Sequence, residues 1–457
     1  MKKIGATDKP KLRLEEDTLN ISPHVKALKT FIERSETPIT IGIQGEWGSG
    51  KTTLTNMIYT SIDEESDKNN ILQVWVNAWE FSLLSEPEET LVKVLNEIIN
   101  QMAEHSSKPN QAKKIFTDKV LGIGKGALRV AAGMTAGREG AAVAREWAQS
   151  GYDSITGLRD EISKLSKNLK KNGQPVKKIV IYIDDLDRIN PPNAVSLLEL
   201  LKNVFDIAGC IFILAIDYQV VVKGLKEKFG ETMDFEEWEF KAFFDKIIQL
   251  PFTMPTTQYD IGSYVTDLLI ESGFLEEDQH YEDEIKEIIS YTIGGNPRSI
   301  KRLVNSLTLI DIFTEKRDDV DDIFDDENLL VISLVCLQIE YPSIYSLLIV
   351  EPNFRSWTQK NTAFSITKRK EEEDKKKFKE DLRIASLTNE FNEEWEKALF
   401  RICYNKPQYA QKAESISRLL TFIDKQILKG KNASETTKGI SRVINKTFVT
   451  SISEKGE

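Results

Sequence analysis

The sequence predicts an α/β fold in which a parallel sheet carries helices on both faces. Apolar runs of strand length recur along the first part of the chain, helical segments separate them, and polar residues follow the ends of the runs. The composition agrees with this class, because 40% of the residues are hydrophobic and 29% are charged. The length of 457 residues predicts two or three domains.

The composition also excludes several classes of protein. Three isolated cysteines cannot build a disulfide scaffold, and with three isolated histidines they offer no zinc-ligand set. The net charge of −11, from 61 basic and 72 acidic residues, argues against a broad nucleic-acid-binding surface but leaves room for a local basic patch. The sequence shows neither the apolar stretch of a signal peptide nor that of a membrane span. We therefore expect a soluble cytoplasmic protein.

The first motif is the pattern GxxxxGKT, which follows an apolar run that begins at Ile39. A helical stretch comes next, and this strand–loop–helix context is typical of the phosphate-binding loop, or P-loop. Its glycines let backbone N–H groups face the phosphates of a nucleotide, and the helix N-terminus adds positive charge. Lys51 is predicted to reach the β- and γ-phosphates, and the Thr52 hydroxyl to ligate Mg²⁺. The predicted nucleotide-binding residues are Gly45, Glu46, Trp47, Gly48, Ser49, Gly50, Lys51, Thr52 and Thr53.

The second motif is a cluster of carboxylates, DDLDR, after the buried-strand pattern at 179–183. Asp184, at the end of this strand, is placed to hold the Mg²⁺ shell. Asp185 is the best candidate to orient or deprotonate the attacking water. Asp187 is a second candidate for a polar role. Arg188 has two interpretations: it pairs with these carboxylates, or it acts in trans as an arginine finger in a neighbouring subunit.

The other predicted elements complete the sheet. Strands are predicted at 71–76 and 210–216, and a short edge strand at 247–252, where Pro251 would be tolerated. Residues 193–204 and 218–229 have helical spacing. Asp217, after the strand at 210–216, either senses the γ-phosphate or caps the next helix.

Together these motifs resemble the KAP family of P-loop NTPases over about residues 20–310. The resemblance rests on the GEWGSGKT loop, Asn77-Ala-Trp79, the DDLDR of 184–188, the FILAID of 212–217 and Asn296-Pro-Arg298. It implies an ASCE-type core, related to the STAND and AAA+ ATPases, with an added catalytic acid next to the Mg²⁺ carboxylate. The family's catalytic aspartate maps to Asp185. A lid arginine that contacts the γ-phosphate maps to Arg298 or, second, to Arg302, although a solvated basic helix face is the alternative.

The predicted organisation follows the motifs. Residues 20–255 form the P-loop NTPase core, with a helical insertion at about 85–176. A helical lid at 256–316, an acidic linker at 317–328 and a C-terminal helical domain at 329–457 complete the chain. Some family members carry membrane helices in the insertion, but here six charged residues interrupt the Ala- and Gly-rich stretch at 120–151, which predicts a soluble hairpin.

The resemblance implies an ATPase with ATP and Mg²⁺ as its ligands, which uses binding and hydrolysis to switch conformation or assembly. It further implies a homo-oligomer that acts in prokaryotic antiphage defence with a partner effector protein, since no nuclease, protease or deaminase signature is present. Two alternatives stay open. A nucleotide-gated scaffold would show little turnover, because Asp185 stands where many relatives carry Glu. A nucleic-acid-stimulated ATPase would have to overcome the acidic charge.

Overall fold

The computed structural model describes residues 5–65, 69–83, 87–114, 156–229, 237–279, 281–314, 327–358, 380–385, 391–404, 406 and 408–447. The chain divides into two compact units. The first is Lys9–Thr256, and the second joins Met1–Asp8 to Thr257–Glu457. The Ala- and Gly-rich stretch and most of the acidic linker lie outside the described residues, and the finer division into insertion, lid and C-terminal domain stays a prediction.

The first unit is built on a five-stranded, all-parallel sheet, which confirms the predicted fold class. Its order is β2-β5-β6-β1-β7. The strands are β1 (Ile39–Gln44), β2 (Ile71–Asn77), β5 (Lys178–Asp184), β6 (Cys210–Ile216) and β7 (Leu250–Thr253), and a separate small hairpin pairs β3 (Lys170–Lys171) with β4 (Gln174–Pro175). Strand β6 lies between β1 and β5.

The edge strand β7 corrects one sequence prediction. A start at Ile247 is wrong, because Ile247 is the last residue of the preceding helix and the strand begins at Leu250. Pro251 does lie in this edge strand, where its missing N–H removes no hydrogen bond from the interior of the sheet.

Helices cover both faces of the sheet. They are α1 (Ser22–Arg34), α2 (Lys51–Asp63), α3 (Ala78–Ser82), α4 (Pro87–Glu104), α5 (Pro191–Phe205), α6 (Tyr218–Phe229) and α7 (Glu237–Ile247), and a further helix covers 156–167. The helices predicted at 193–204 and 218–229 are thereby confirmed. Strand β6 is buried at every residue and β5 at all but its first, because helices pack on each side.

Two contacts tie helices closely to this core. Gly224 lies where α6 crosses the start of α5, and a Cβ added there would be 2.2 Å from the carbonyl oxygen of Pro191. Lys178, at the start of β5, donates to the carbonyl oxygens of Ile32, Glu33 and Ser35 at 2.9, 2.9 and 2.6 Å. Its ammonium group thus satisfies carbonyls at the end of α1 that have no partner within the helix.

The second unit is helical in its described part. Its helices are α8 (Ile261–Ser272), α9 (Glu282–Tyr291), α10 (Pro297–Thr314), α11 (Glu327–Glu340), α12 (Pro342–Val350), α13 (Glu394–Tyr404), α14 (Ala413–Phe422) and α15 (Ala433–Thr447), and a π-helical turn covers Ile423–Ile427. The apolar stretch after 329 forms two helices, because Pro342 begins a new one. Trp357 and Trp395 are buried, and each packs against Phe354. Over the ranges described above, we find no helix that combines the length and the apolar content needed to cross a bilayer.

Candidate nucleotide-binding site

The candidate site lies at the carboxyl edge of the sheet. Strand β1 ends at Gln44, the loop 45–50 follows, and α2 begins at Lys51. Gly48 and Gly50 have φ of 88° and 99°, a left-handed conformation that glycine adopts without strain and that lets the loop curl over the helix N-terminus. Within the loop, the N–H of Ser49 donates to the carbonyl of Glu46 at 3.1 Å. The sequence thus folds here into the loop geometry that binds phosphate.

Lys51 is held by three acceptors at the base of the loop. Its ammonium donates to the carbonyl oxygens of Gly45 at 2.9 Å and Glu46 at 3.2 Å, and to the carboxylate of Asp187 at 2.9 Å. An ammonium group has three hydrogens, so these contacts use its full donor capacity. The side chains of Lys51 and Asp187 are only 8% and 5% exposed, which makes this a buried ion pair. A phosphate that binds Lys51 must therefore replace at least one of these acceptors.

Asp184 and Thr52 form the predicted metal pair. The Asp184 carboxylate accepts a hydrogen bond from the Thr52 hydroxyl and another, at 2.9 Å, from the backbone N–H of Asp185. Asp184 is buried, and burial together with the neighbouring charge of Asp185 raises its pKa from 3.8 to about 6, against the lowering effect of these hydrogen bonds. A buried carboxylate with like charges beside it is electrostatically suited to a cation.

Asp185 points its carboxylate differently, because its backbone is left-handed with φ of 56°. One oxygen accepts a hydrogen bond from the Asn77 side-chain amide at 3.0 Å, and the other lies 2.8 Å from the Arg188 Nε in an ion pair. Two adjacent aspartates therefore occupy two different environments, one beside Thr52 and one beside Asn77 and Arg188. A left-handed conformation is uncommon for a residue other than glycine and is often found at functional sites.

Arg188 lies between two tryptophans. Its guanidinium carbon is 4.8 Å from the ring centre of Trp79 and 5.9 Å from that of Trp47. Trp47 belongs to the P-loop and is 59% exposed. Both distances are within the range of cation–π attraction. Of the two interpretations of Arg188, its pairing with a carboxylate of the cluster is the one seen in the structure.

The other predicted residues fall elsewhere. Asp217 accepts from the N–H of Gln219 at 2.9 Å, which is the helix-capping interpretation. Arg298 belongs to the second unit, at the start of α10. There its Nε donates to the carboxylate of Asp8 at 2.5 Å, and Lys301 lies 4.0 Å from the same carboxylate. Its role as a lid arginine, and that of Arg302, stays a prediction.

Sequence reasoning missed three partners in these contacts. Asn77 and Trp79 were read only as part of a motif, and Asp187 was not foreseen as the partner of Lys51. A usable signal was present for Asn77, because it ends the strand next to the one that Asp184 ends, and parallel strands place their carboxyl ends together. Asp8 lies 290 residues from Arg298, and we find no sequence signal for that pair.

The fold and the site together define a P-loop NTPase. The KAP family P-loop domain matches residues 21–312, which is more than half of the chain. The chain therefore belongs to the KAP family, as its motifs predicted.

Comparison with other proteins gives one curated relative and several structures of low similarity. The chain is 24% identical over 295 residues to the phage T7 exclusion protein of Escherichia coli (strain K12), a match that covers 59% of this chain and 38% of that protein. The chain thus spans well under half the length of this relative. A structure of Drosophila ORC bound to DNA is 12% identical with a TM-score of 0.39, and covers 96% of this chain and 94% of that one. The ORC2 protein of Aeropyrum pernix is 13% identical with a TM-score of 0.35, and covers 97% and 98%.

Proposed function

We propose that this protein binds ATP with Mg²⁺ at the P-loop site, hydrolyses it, and uses the cycle to switch its conformation or assembly. One observation carries the proposal: the adjacent carboxylates of Asp184 and Asp185 are separated by a left-handed backbone turn and have different partners. The first is suited to hold a metal, and the second to orient or deprotonate water.

The residues fit Mg²⁺. Magnesium prefers hard oxygen ligands and is bound in nucleotide sites by one or two protein groups together with phosphates. The Thr52 hydroxyl and the Asp184 carboxylate are such oxygens and are already in contact. Within the described part of the chain, no cluster of three or more His, Cys, Asp or Glu side chains offers an all-protein metal site. Bound Mg²⁺ would neutralise charge on the phosphates, while Lys51 and the loop N–H groups hold them.

The biological part of the proposal is a role in antiphage defence, as part of a homo-oligomer and with a partner effector protein. Its support is the likeness to the phage T7 exclusion protein, of which this chain spans 38%. We place the protein in the cytoplasm, where ATP is available; the three cysteines are buried and free, which fits a reducing compartment.

The test is to measure ATP turnover of the purified protein beside its mass in solution, with and without Mg²⁺ and ATP. We expect phosphate release that requires Mg²⁺, together with a nucleotide-dependent change in mass or hydrodynamic size. Lys51→Ala should lose both. Asn69→Ala is a matched control, because Asn69 donates to Glu33 in the same unit and lies before the start of β2, at the opposite end of the strand from Asn77.

Each alternative has its own outcome in this test. Tight binding without turnover would replace the proposal by the nucleotide-gated scaffold, for which the pairing of both Asp185 carboxylate oxygens is the favouring observation. Turnover that appears only with added DNA or RNA would replace it by the nucleic-acid-stimulated ATPase. A wild-type protein that neither binds nor hydrolyses ATP would refute the nucleotide function altogether.

A further inference from the structure

We propose that Asn77, Trp79 and Arg188 form a clamp that positions Asp185 within the same chain. This inference rests on the proposed function, since its purpose is to orient the carboxylate that acts on water. It gives the two sequence motifs NAW and DDLDR one joint role. It also assigns Arg188 a role in cis, as a positioning residue, and not as a finger for a neighbouring subunit.

The first step is the way in which Asp185 is held. Its Oδ2 accepts a hydrogen bond from the Asn77 amide at 3.0 Å, and its Oδ1 lies 2.8 Å from the Arg188 Nε in an ion pair. Each oxygen of the carboxylate thus has its own partner on a different element, β2 and the turn after β5. A hydrogen bond on one oxygen and a cation beside the other restrain the orientation of the carboxylate more than either contact does alone.

The second step is the support behind these partners. The side-chain oxygen Oδ1 of Asn77 accepts a hydrogen bond from the backbone N–H of Trp79 at 3.0 Å and so caps the short helix α3. The side-chain NH₂ group of Asn77 is then left to face Asp185. The ring of Trp79 then lies 4.8 Å from the Arg188 guanidinium carbon. Asn77 and Asp184 are also direct partners in the β2–β5 ladder, so the sheet itself brings the two motifs together.

The third step excludes the finger role for this arginine in the observed arrangement. To reach a neighbouring site, Arg188 would have to leave an ion pair with an Asp185 side chain that is only 15% exposed, as well as the face of Trp79. Breaking this ion pair would leave one oxygen of the largely buried Asp185 carboxylate without its cationic partner, which is costly for a buried charge. The contact with Trp47 also links the clamp to the P-loop.

The clamp predicts a specific pattern of kinetic change. Arg188→Ala should lower kcat by about 10²-fold, because a misoriented group loses that much, while the Kd for ATP stays within about twofold. Trp79→Ala should lower kcat in the same direction, and the conservative Trp79→Phe should restore most of it. Arg159→Ala is the matched control, because Arg159 lies in the same unit and donates to the carbonyl of Asn203. A normal kcat in Arg188→Ala overturns the clamp.

A mixing experiment separates positioning in cis from a finger in trans. Arg188→Ala lacks the arginine but keeps its P-loop, whereas Lys51→Ala lacks nucleotide binding but keeps Arg188. A finger in trans would restore turnover when the two variants are mixed and allowed to exchange subunits. The clamp predicts no recovery above the sum of the separate rates, and recovery overturns it. In the Asp185→Asn background, the clamp also predicts that Arg188→Ala causes no further loss.

A spectroscopic measurement keeps the clamp distinguishable from the proposed function. In protein labelled with 5-fluorotryptophan, the ¹⁹F signal of Trp79 is assigned by its absence in Trp79→Phe. The clamp predicts that Arg188→Ala and Asp185→Asn both shift this signal, while Arg159→Ala does not. An unmoved signal overturns the clamp whatever the turnover. If these two variants shift the signal but the wild-type protein hydrolyses no ATP, the clamp stands and the proposed function is overturned instead.

Discussion

Replacing Asp184 by Asn should stabilise the protein when Mg²⁺ is absent, and this effect should depend on pH. Burial and the charge of Asp185 raise the pKa of Asp184 from 3.8 to about 6 in the folded state. The ionised carboxylate therefore destabilises the folded state at neutral pH. Asn has no charge and keeps one oxygen that can accept the N–H of Asp185 and the Thr52 hydroxyl.

The magnitude follows from the shift in pKa. A change from 3.8 to about 6 is about two units at about 1.4 kcal/mol each, or about 3 kcal/mol in all. Between pH 4 and pH 6 the unfolded chain is ionised at this residue while the folded chain keeps its proton. The contribution of Asp184 to the stability of the wild type is thus greatest below pH 4, falls as the pH rises to 6, and is constant above that pH. The advantage of Asp184→Asn should grow by about 2–3 kcal/mol from pH 4 to pH 8.

The assay is urea unfolding in EDTA across this pH range, followed by tryptophan fluorescence. Asp206→Asn is the control, because that carboxylate is 42% exposed and pairs with Lys202 at i,i+4, so its difference from wild type should stay within about 0.5 kcal/mol. Added Mg²⁺ should stabilise the wild type, by about 1.4 kcal/mol at ten times its Kd, and leave Asp184→Asn unchanged. An advantage for Asp184→Asn that is the same at every pH would refute the reasoning.

Three further predictions concern the same unit. Asp185→Asn should keep ATP binding but slow hydrolysis by about 10²–10⁴-fold, measured as phosphate release; a wild-type rate would move the role to another residue. Gly224→Ala should cost about 1–3 kcal/mol of stability, because its Cβ would be 2.2 Å from a carbonyl oxygen at the start of α5. Gly157→Ala is the control: its Cβ would have nothing within 4 Å, so this change should be neutral or stabilising. Equal effects of the two changes in thermal unfolding would contradict the close approach at Gly224. Lys178→Met should lower the free energy of unfolding in urea by about 2–4 kcal/mol, because three carbonyl oxygens lose a charged donor. Lys177→Met should change it little, because Lys177 is exposed. Similar losses in the two variants would contradict the capping of α1 by Lys178.

The local parts of the site could be predicted from the sequence because they are contiguous. The strand, loop and helix around Lys51 follow one another in the chain, and their glycines and apolar spacing determine the geometry within about twenty residues. Strands β5 and β6 were predicted for the same reason, since a strand buried on both faces appears as a continuous apolar run.

The contacts between distant segments could not be predicted. Lys51 and Asp187 are 136 residues apart, and Asn77 and Asp185 are 108 apart. Which aspartate of DDLD meets which partner depends on the left-handed backbone at Asp185, which the sequence does not dictate. The edge strand was placed too early because an apolar helix end and an apolar strand adjoin at 247–250, and periodicity does not separate such short runs.

The central claim is that the loop 45–52 and the carboxylates after β5 form one nucleotide site, and ATP titration by calorimetry with Mg²⁺ tests it most directly. We predict one ATP bound per wild-type chain and a loss of tight binding in Lys51→Ala, because the ammonium that faces Asp187 and the loop carbonyls is then absent. Equal affinity of wild type and Lys51→Ala, or no binding by the wild type, would contradict the account.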